Sequence, residues 1–345
     1  MTTRHQLYQQ HLAETRSRLA ALLAPVSPGL PITLQPCPMD DGFRGHARFS
    51  VSAAGDEVAV TGVDPVAGRR SWESTRWILP EFGQQLAETV IQRIRKTYAR
   101  YPVRGFDLRL SHGSHRAHLV LAVDRNEPTS FRHWAETLVH ETPAVAGVLV
   151  PSQSLTVGEE LVRHRLLGRD LVSHPLAFFQ TNYWLTEPLL QHIAALVSQQ
   201  APASVLDLYC GVGVHSLLAG EETTRTVGLD SDPNAIAVAR RNAKTAGRLA
   251  TYEQVSVEVG LARGGREHWD AVIMNPPRSG CSAEVVARVA RLAPGCICLV
   301  CCSAEAQVRD LGRFQTLGYE AAEYAAFDMF PFSRFVENVA LLFPR

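Results

Sequence analysis

Net charge is absent from this chain: 34 basic and 34 acidic residues cancel over 345 positions, so no basic tail advertises nucleic acid or a membrane surface. The front half departs from that balance only slightly, with 20 Lys/Arg against 17 Asp/Glu in residues 1–175. Long hydrophobic runs are missing too. No stretch approaches the roughly 18 apolar residues that span a bilayer, and the opening Met1-Thr-Thr-Arg-His-Gln-Leu-Tyr has no signal-peptide core. A cytoplasmic protein without membrane attachment is expected. Cysteine is scarce early on, Cys37 standing alone before residue 210. The total of seven is odd, and four crowd into residues 296–302, which fits reduced thiols better than a disulfide framework. Internal repeats and low-complexity tracts are not evident.

What is present is a change of pattern near Pro175, in a chain long enough for two domains. Residues 5–24 carry an irregular apolar stripe (Leu7, Leu12, Leu19, Leu22, Leu23), ended by Pro25, Pro28 and Pro31. Residues 1–40 therefore read as a helix and linker. Residues 41–174 mix strand-like runs (Val58–Thr61, His118–Val123) with helix-like runs (Gln84–Arg100, Thr129–His140) and hold no glycine loop between them, which predicts an α+β substrate-recognition domain. Residues 175–345 alternate strand and helix: 204–208, 216–220, 226–230, 233–246, 270–274, 283–292 and 296–301. Such alternation implies right-handed crossovers and an α/β, Rossmann-like parallel sheet. The runs 323–327 and 336–343 share a short link, predicting an antiparallel pair at the end of the sheet, as in class I methyltransferases.

Asp207-Leu-Tyr209-Cys-Gly211-Val-Gly213 joins the first of these strands to its helix. Glycines there let a ligand approach the backbone, and Asp230, ending the next strand, suits two ribose hydroxyls. A dinucleotide fits the same skeleton. Asp207 tilts the choice towards a sulfonium, because a negative field before the loop opposes a pyrophosphate; Ser216 at the loop's third position points the same way.

Met274-Asn275-Pro276-Pro277-Arg278 follows an apolar strand, and its prolines stiffen the backbone where a planar substrate would lie. Arg278 stands where amino-group methyltransferases place an aromatic residue. The Asn275 amide matches the N3 and O4 edge of uracil, and turned over it matches cytosine; a plain rigid turn is the alternative. Cys298 and Cys301 point to opposite faces of a strand and should not share a metal. Cys302 ends that strand, where ligands bind in open α/β sheets. Uracil C5 is too weak a nucleophile to take a methyl group unaided. Thiolate attack on C6 makes C5 an enolate carbon, and a base must later remove the C5 proton. Cys302 is the candidate thiol, whose pKa the site should lower or whose proton it should lead away, and Glu337 the candidate base. Core filling for Cys302 and an exposed edge-strand position for Glu337 are the plainer readings.

Taken together, Phe178-Phe-Gln180-Thr-Asn182, the 207–213 loop, Asn275-Pro-Pro-Arg278-Ser-Gly280, Cys302, and Phe327-Asp-Met-Phe-Pro331 with Val336-Glu337 resemble the RNA uracil-C5 methyltransferase family, and most its branch acting on 23S ribosomal RNA. The match covers residues 175–345, with Gly42-Phe-Arg44-Gly-His46-Ala-Arg48 the one familiar run before it. The resemblance implies a class I methyltransferase domain with a seven-stranded sheet. It also implies an S-adenosylmethionine site lined by Gln180, Asp207, Tyr209, Gly211, Gly213, Asp230 and Asn275, with Cys302 as nucleophile and Glu337 as proton acceptor. RNA is the implied partner, ribosomal ahead of transfer RNA, with no obligate protein partner. Asn275, Arg278, Arg44 and Arg48 are candidate substrate contacts, and Arg163, His164, Arg165 and Arg169 form a second basic stretch. Many ribosomal-RNA members carry an N-terminal cysteine quartet for an iron–sulfur cluster; this chain lacks it, so no cluster is expected. Departures from the family pattern are Ser303 and Ala304 after the nucleophile, Phe335 in place of a histidine, and Ser256 in place of an acid. Rival readings are a methyltransferase of a small molecule or free nucleoside, and a catalytically silent RNA-binding relative.

Overall fold

The computed structural model describes residues 3–55, 57–64, 68–263 and 267–345; Met1 and Thr2 of the opening run lie outside them. Packing divides the chain into two units, one formed by Met1–Pro38 with Leu185–Arg345 and the other by Met39–Trp184. The sequence reading sets its boundaries after residues 40 and 174. Residues up to Pro38 instead join the C-terminal unit, and Pro175–Trp184 go with the middle one. Pairing explains the first difference: the strand Ile32–Gln35 runs parallel to Tyr319–Phe327, with Leu34 opposite Ala326. The helix Arg4–Leu23 also drives Leu19 and Leu23 into the apolar core, each fully buried leucine contributing roughly 2 kcal/mol. A Thr3/Gln6 capping box starts that helix.

The sheet of this unit has eight strands in the order Ile32–Gln35, Tyr319–Phe327, Glu337–Pro344, Cys296–Cys301, Ala271–Met274, Ser204–Leu208, Arg225–Asp230 and Ala250–Gln254. Only Glu337–Pro344 runs against its neighbours. Seven strands form the expected parallel arrangement with one reversed strand, and Ile32–Gln35 adds an eighth that pairs what would otherwise be an open edge. The central strands Ala271–Met274 and Cys296–Cys301 are buried at every position, which is why they read as unbroken apolar runs. Helices begin where side chains take up orphan amides: Asp232 accepts from Asn234 and Ala235 ahead of Pro233, and Ser282 accepts from Val285.

The middle unit is a seven-stranded sheet, ordered Gly68–Ser71, Glu57–Asp64, His46–Ala54, Gly105–Leu110, Ala117–Ala122, Val145–Val150 and Leu155–Gly158. Ala117–Ala122 and Val145–Val150 pair parallel, the rest antiparallel. Helices Glu81–Thr97 and Arg132–Glu141 and a separate hairpin, Val162–Leu166 with Arg169–Ser173, complete the expected α+β unit. Among the described residues, no helix is long and apolar enough to cross a membrane.

Candidate active site

The loop after Ser204–Leu208 is wound through left-handed backbone at Tyr209 (φ 60°), Gly211 (φ 53°) and Gly213 (φ 77°). A methyl group on Gly213 would meet the Tyr252 hydroxyl at 2.7 Å, whereas one on Gly211 would meet nothing within 4 Å. Packing dictates the first glycine, and open space lies over the second. Asp230 accepts from the Gly211 and Asp232 amides, each at 2.9 Å, so it shapes the loop while each oxygen keeps a further lone pair.

Asp207 sits differently from the sequence argument. It is wholly buried; Oδ2 accepts the Ser216 amide at 3.3 Å, and Oδ1 has no partner among the described residues. Burial pushes its acid up to about 7, with the charge of Asp230 adding to the rise and the Ser216 hydrogen bonds opposing it. A carboxyl that is half neutral at neutral pH and shows no surface projects little field at a ligand. Its visible task is to tie the loop's far end, where Ser216 also meets the Tyr252 hydroxyl at 3.1 Å.

Two strands bring the predicted thiol and base together. Cys301 pairs with Asn338 in the antiparallel register, so the next step outward sets Cys302 level with Glu337. Glu337 is 3% exposed on an interior strand, not at an exposed edge, and Cys302 is half-buried while Cys296, Cys298 and Cys301 are buried. Arg278 serves both groups. Its guanidinium charge favours the ionised forms of both the Cys302 thiol and the Glu337 carboxyl, and it lies 4.6 Å from the Phe335 ring centre, a cation–π distance. Of the two alternatives expected for Cys302, a lowered pKa or a path for its proton to leave, the first is not met: desolvation, then the charge of Glu337, push the thiol up to about 11 despite Arg278. Desolvation likewise raises Glu337 to about 7, again against Arg278.

Several supports escaped the sequence reading. Asn338 donates to the Cys301 and Val336 carbonyls at 2.9 and 2.8 Å and accepts from the Tyr324 hydroxyl at 3.0 Å. Gln307 donates to the Leu299 and Asn338 carbonyls at 2.8 and 3.1 Å. These bonds clamp the ends of the Cys302 and Glu337 strands. An amide directly after the candidate base was the available signal. Asp310 accepts the Cys281 amide at 2.7 Å and Arg309 donates to the Ser279 carbonyl at 2.6 Å, bracing the segment after Arg278. Asn275 itself is half-buried, its backbone N–H donating to the Leu208 carbonyl at 3.2 Å. Tyr209 is half-buried, and burial, with the nearby Cys281 thiol and Glu258, raises its phenol.

The departures have local explanations. Ser303 caps the helix Ala304–Thr316 by accepting the Ala306 amide, Ser256 accepts the Val259 amide at 3.4 Å near the start of Val257–Arg263, and Phe335 carries Arg278 on its face.

Gln180, Arg44 and Arg48 belong to the middle unit. Gln180 is 6% exposed. Arg44 and Arg48 do not share a strand: the strand starts at His46, and Arg44 forms an isolated bridge to Asn182. Arg48 grips Asp107 in a two-bond fork at 2.8 and 2.9 Å. In the second basic stretch, Arg163 pairs with Glu159 and Arg165 with Asp170, and His164 is buried.

The Pyrococcus abyssi tRNA (uracil-54, C5)-methyltransferase, solved with S-adenosyl-L-homocysteine, superimposes with a TM-score of 0.74 over 97% of this chain and 83% of its own, at 23% identity. The fold is that of a class I methyltransferase. A family model, "methyltransferase small domain", matches residues 185–296 of the chain. In sequence, a curated P. abyssi tRNA (uracil(54)-C(5))-methyltransferase is 36% identical over 185 residues, 54% of this chain and 43% of that protein. A Vibrio cholerae 23S rRNA (uracil(747)-C(5))-methyltransferase is 30% identical over 240 residues, 66% and 61% of the two. The chain, with the fold of a class I methyltransferase, is similar in sequence to RNA uracil-C5 methyltransferases, and it spans about half the length of the curated relatives it matches.

Proposed function

We propose that the protein methylates C5 of uracil in RNA, with S-adenosylmethionine as methyl donor, Cys302 as nucleophile and Glu337 as the base. The observation that carries this is the pairing of a strand-end thiol with a buried carboxyl, level with each other and both within the field of Arg278. The open space over Gly211, the lone pairs left on Asp230 and the stiffened Asn275 turn fit the donor's binding on the same unit. When bound there, S-adenosylmethionine supplies the methyl carbon from its sulfonium.

The chain's own groups do the rest. Cys302, only half-buried, gives its proton to solvent with the charge of Arg278 favouring the thiolate, and the thiolate sulfur bonds to C6, which moves the C5–C6 electron pair towards C5 and O4. Once C5 has taken the methyl group, the Glu337 carboxylate removes the C5 proton, and the returning electron pair expels the Cys302 thiolate and restores the ring. Asn275 is assigned to the N3–O4 edge of the base. Among RNAs we favour ribosomal RNA, on the Phe-Phe-Gln-Thr-Asn and Phe-Asp-Met-Phe-Pro runs and on the length of the match to the 23S enzyme.

The test uses RNA carrying 5-fluorouridine, whose C5 fluorine cannot leave as a proton, so the adduct persists after methyl transfer. A covalent protein–RNA complex that needs the methyl donor, survives Cys301→Ala and disappears in Cys302→Ala is expected. A complex surviving Cys302→Ala, or none with any cellular RNA, overturns the assignment. Mapping 5-methyluridine in RNA from cells with and without the gene names the target nucleotide.

A further inference from the structure

The outer face of the middle unit's sheet carries an open groove of about 790 Å³, within the roughly 300–1,000 Å³ of ligand clefts. Cross-strand register builds its floor: Ser50 lies opposite Gly105 and Gly105 opposite Ala122, while Arg48 lies opposite Asp107 and Asp107 opposite Val120. Ser50, Gly105 and Ala122 are small, so that part of the floor admits a chain close to the backbone. Alternate positions Phe49, Phe106 and Leu121 point the other way into the core, each at most 2% exposed.

Four guanidiniums line this groove, from Arg48, Arg104, Arg109 and Arg125. The carboxylates that answer them are Asp107, which Arg48 and Arg109 approach together with His46, and Asp124, which pairs with Arg104. Four cations against two anions leave an excess of two positive charges. Desolvation lowers His46, so its ring adds no charge at neutral pH. Arg109 is the telling member, its side chain 16% exposed and its Nε buried without a partner among the described residues. A buried guanidinium N–H without an acceptor is costly, and an anion meeting the exposed edge of that guanidinium would offset part of the cost.

We infer that this groove is a binding surface for a single-stranded segment of RNA, with phosphates at the arginine rim and sugars and bases over the small-residue floor. Arginine forks match phosphate oxygens, and a cationic groove over a flat bed is how strands are held without reading their sequence. The choice of RNA rests on the proposed methyltransferase reading; the positive excess and the orphaned Arg109 do not.

The experiment compares the full-length protein with Arg104→Glu/Arg125→Glu, two exposed positions whose reversal leaves the core intact, and with Arg132→Glu outside the groove as control. Binding of a fluorescent single-stranded RNA is measured by anisotropy across salt concentrations, with S-adenosylhomocysteine binding followed by calorimetry as a check on the other unit. The double reversal is expected to weaken RNA binding roughly tenfold or more and to flatten the log–log salt slope by about 1.4, near 0.7 for each phosphate no longer neutralised. Arg132→Glu and S-adenosylhomocysteine affinity should not change. Unchanged affinity and slope in the double variant overturn the groove, even if the wild type methylates RNA. A wild type that transfers no methyl group to RNA but loses RNA binding on reversal overturns the methyltransferase reading and leaves the groove standing.

Discussion

Replacing Glu337 by Gln separates the energetic cost of this carboxyl from its chemistry. In the fold its pKa stands at about 7 against a reference of 4.5, because the side chain is 3% exposed and burial outweighs the pull of Arg278. That rise disfavours the charged form in the fold by about 3 kcal/mol at high pH. For an acid with a raised folded pKa, the contribution to stability is complete below the unfolded value and is lost as pH rises through the folded one. Wild type therefore weakens between about pH 4.5 and 7, and Glu337→Gln, which cannot ionise, does not. Linkage gives a stability advantage of the variant that grows by about 2.5 kcal/mol between pH 5 and 8.5. Denaturant unfolding at both pH values reads it, taken on the transition that the substitution displaces, since two units need not unfold together. An advantage that stays flat, or shrinks as pH rises, refutes the reasoning. The same variant keeps Cys302, so on unmodified RNA with methyl donor it should accumulate the covalent adduct while releasing little 5-methyluridine.

Arg278→Gln should carry the Cys302 pKa above its present value of about 11; the pH profile of adduct formation on 5-fluorouridine RNA then moves upward, and an unmoved profile denies Arg278 its role. Phe335→Leu, which removes the ring beneath that guanidinium, should move it the same way by less, a cation–π contact contributing about 0.5–1 kcal/mol when exposed. Asp207→Asn should leave S-adenosylhomocysteine affinity within a few-fold by calorimetry, because the wholly buried carboxyl shows the ligand no surface, and should gain stability above pH 7, where wild type must ionise an acid raised to about 7. Gly213→Ala, with φ at 77° and a hydroxyl at 2.7 Å, should destabilise clearly more than Gly211→Ala, where space is open and left-handed strain alone costs roughly 1–2 kcal/mol; thermal unfolding ranks the two.

The strands at 271–274 and 296–301 were legible because burial on both faces writes an uninterrupted apolar run, whereas 204–208 and 226–230 keep shorter apolar stretches interrupted by Asp207 and Gly228. Ala250–Gln254 was not: only Tyr252 of its five residues is buried, so neither a run nor a clean alternation appears. Ile32–Gln35 escaped because it follows three prolines and finds its partner near the far end of the chain. The loop glycines, Cys302 and Glu337 could be picked out as residue types at strand ends. Their electrostatics could not. The pKa of a thiol or carboxyl depends on how completely the fold strips water from it, and no spacing encodes that. Asp207 shows the gap most plainly, since the same carboxylate reads as a field source in sequence and as a buried, half-neutral anchor in three dimensions.

The two raised pKa values also order the proposed chemistry. Glu337 is among the causes that lift the Cys302 thiol, so two anions side by side are disfavoured, and the cheap resting state is a neutral thiol beside a carboxyl that carries at most one charge. Covalent bonding removes that conflict, because a thioether has no charge to repel Glu337 and the carboxylate becomes easier to hold in the adduct, when the C5 proton must be taken. Elimination reverses the change: protonated Glu337 no longer opposes the departing thiolate. Arg278, which lowers both groups, is the fixed charge that keeps each anion within reach in its turn, and the Phe335 ring holds that charge in place without adding a second titrating group as a histidine would.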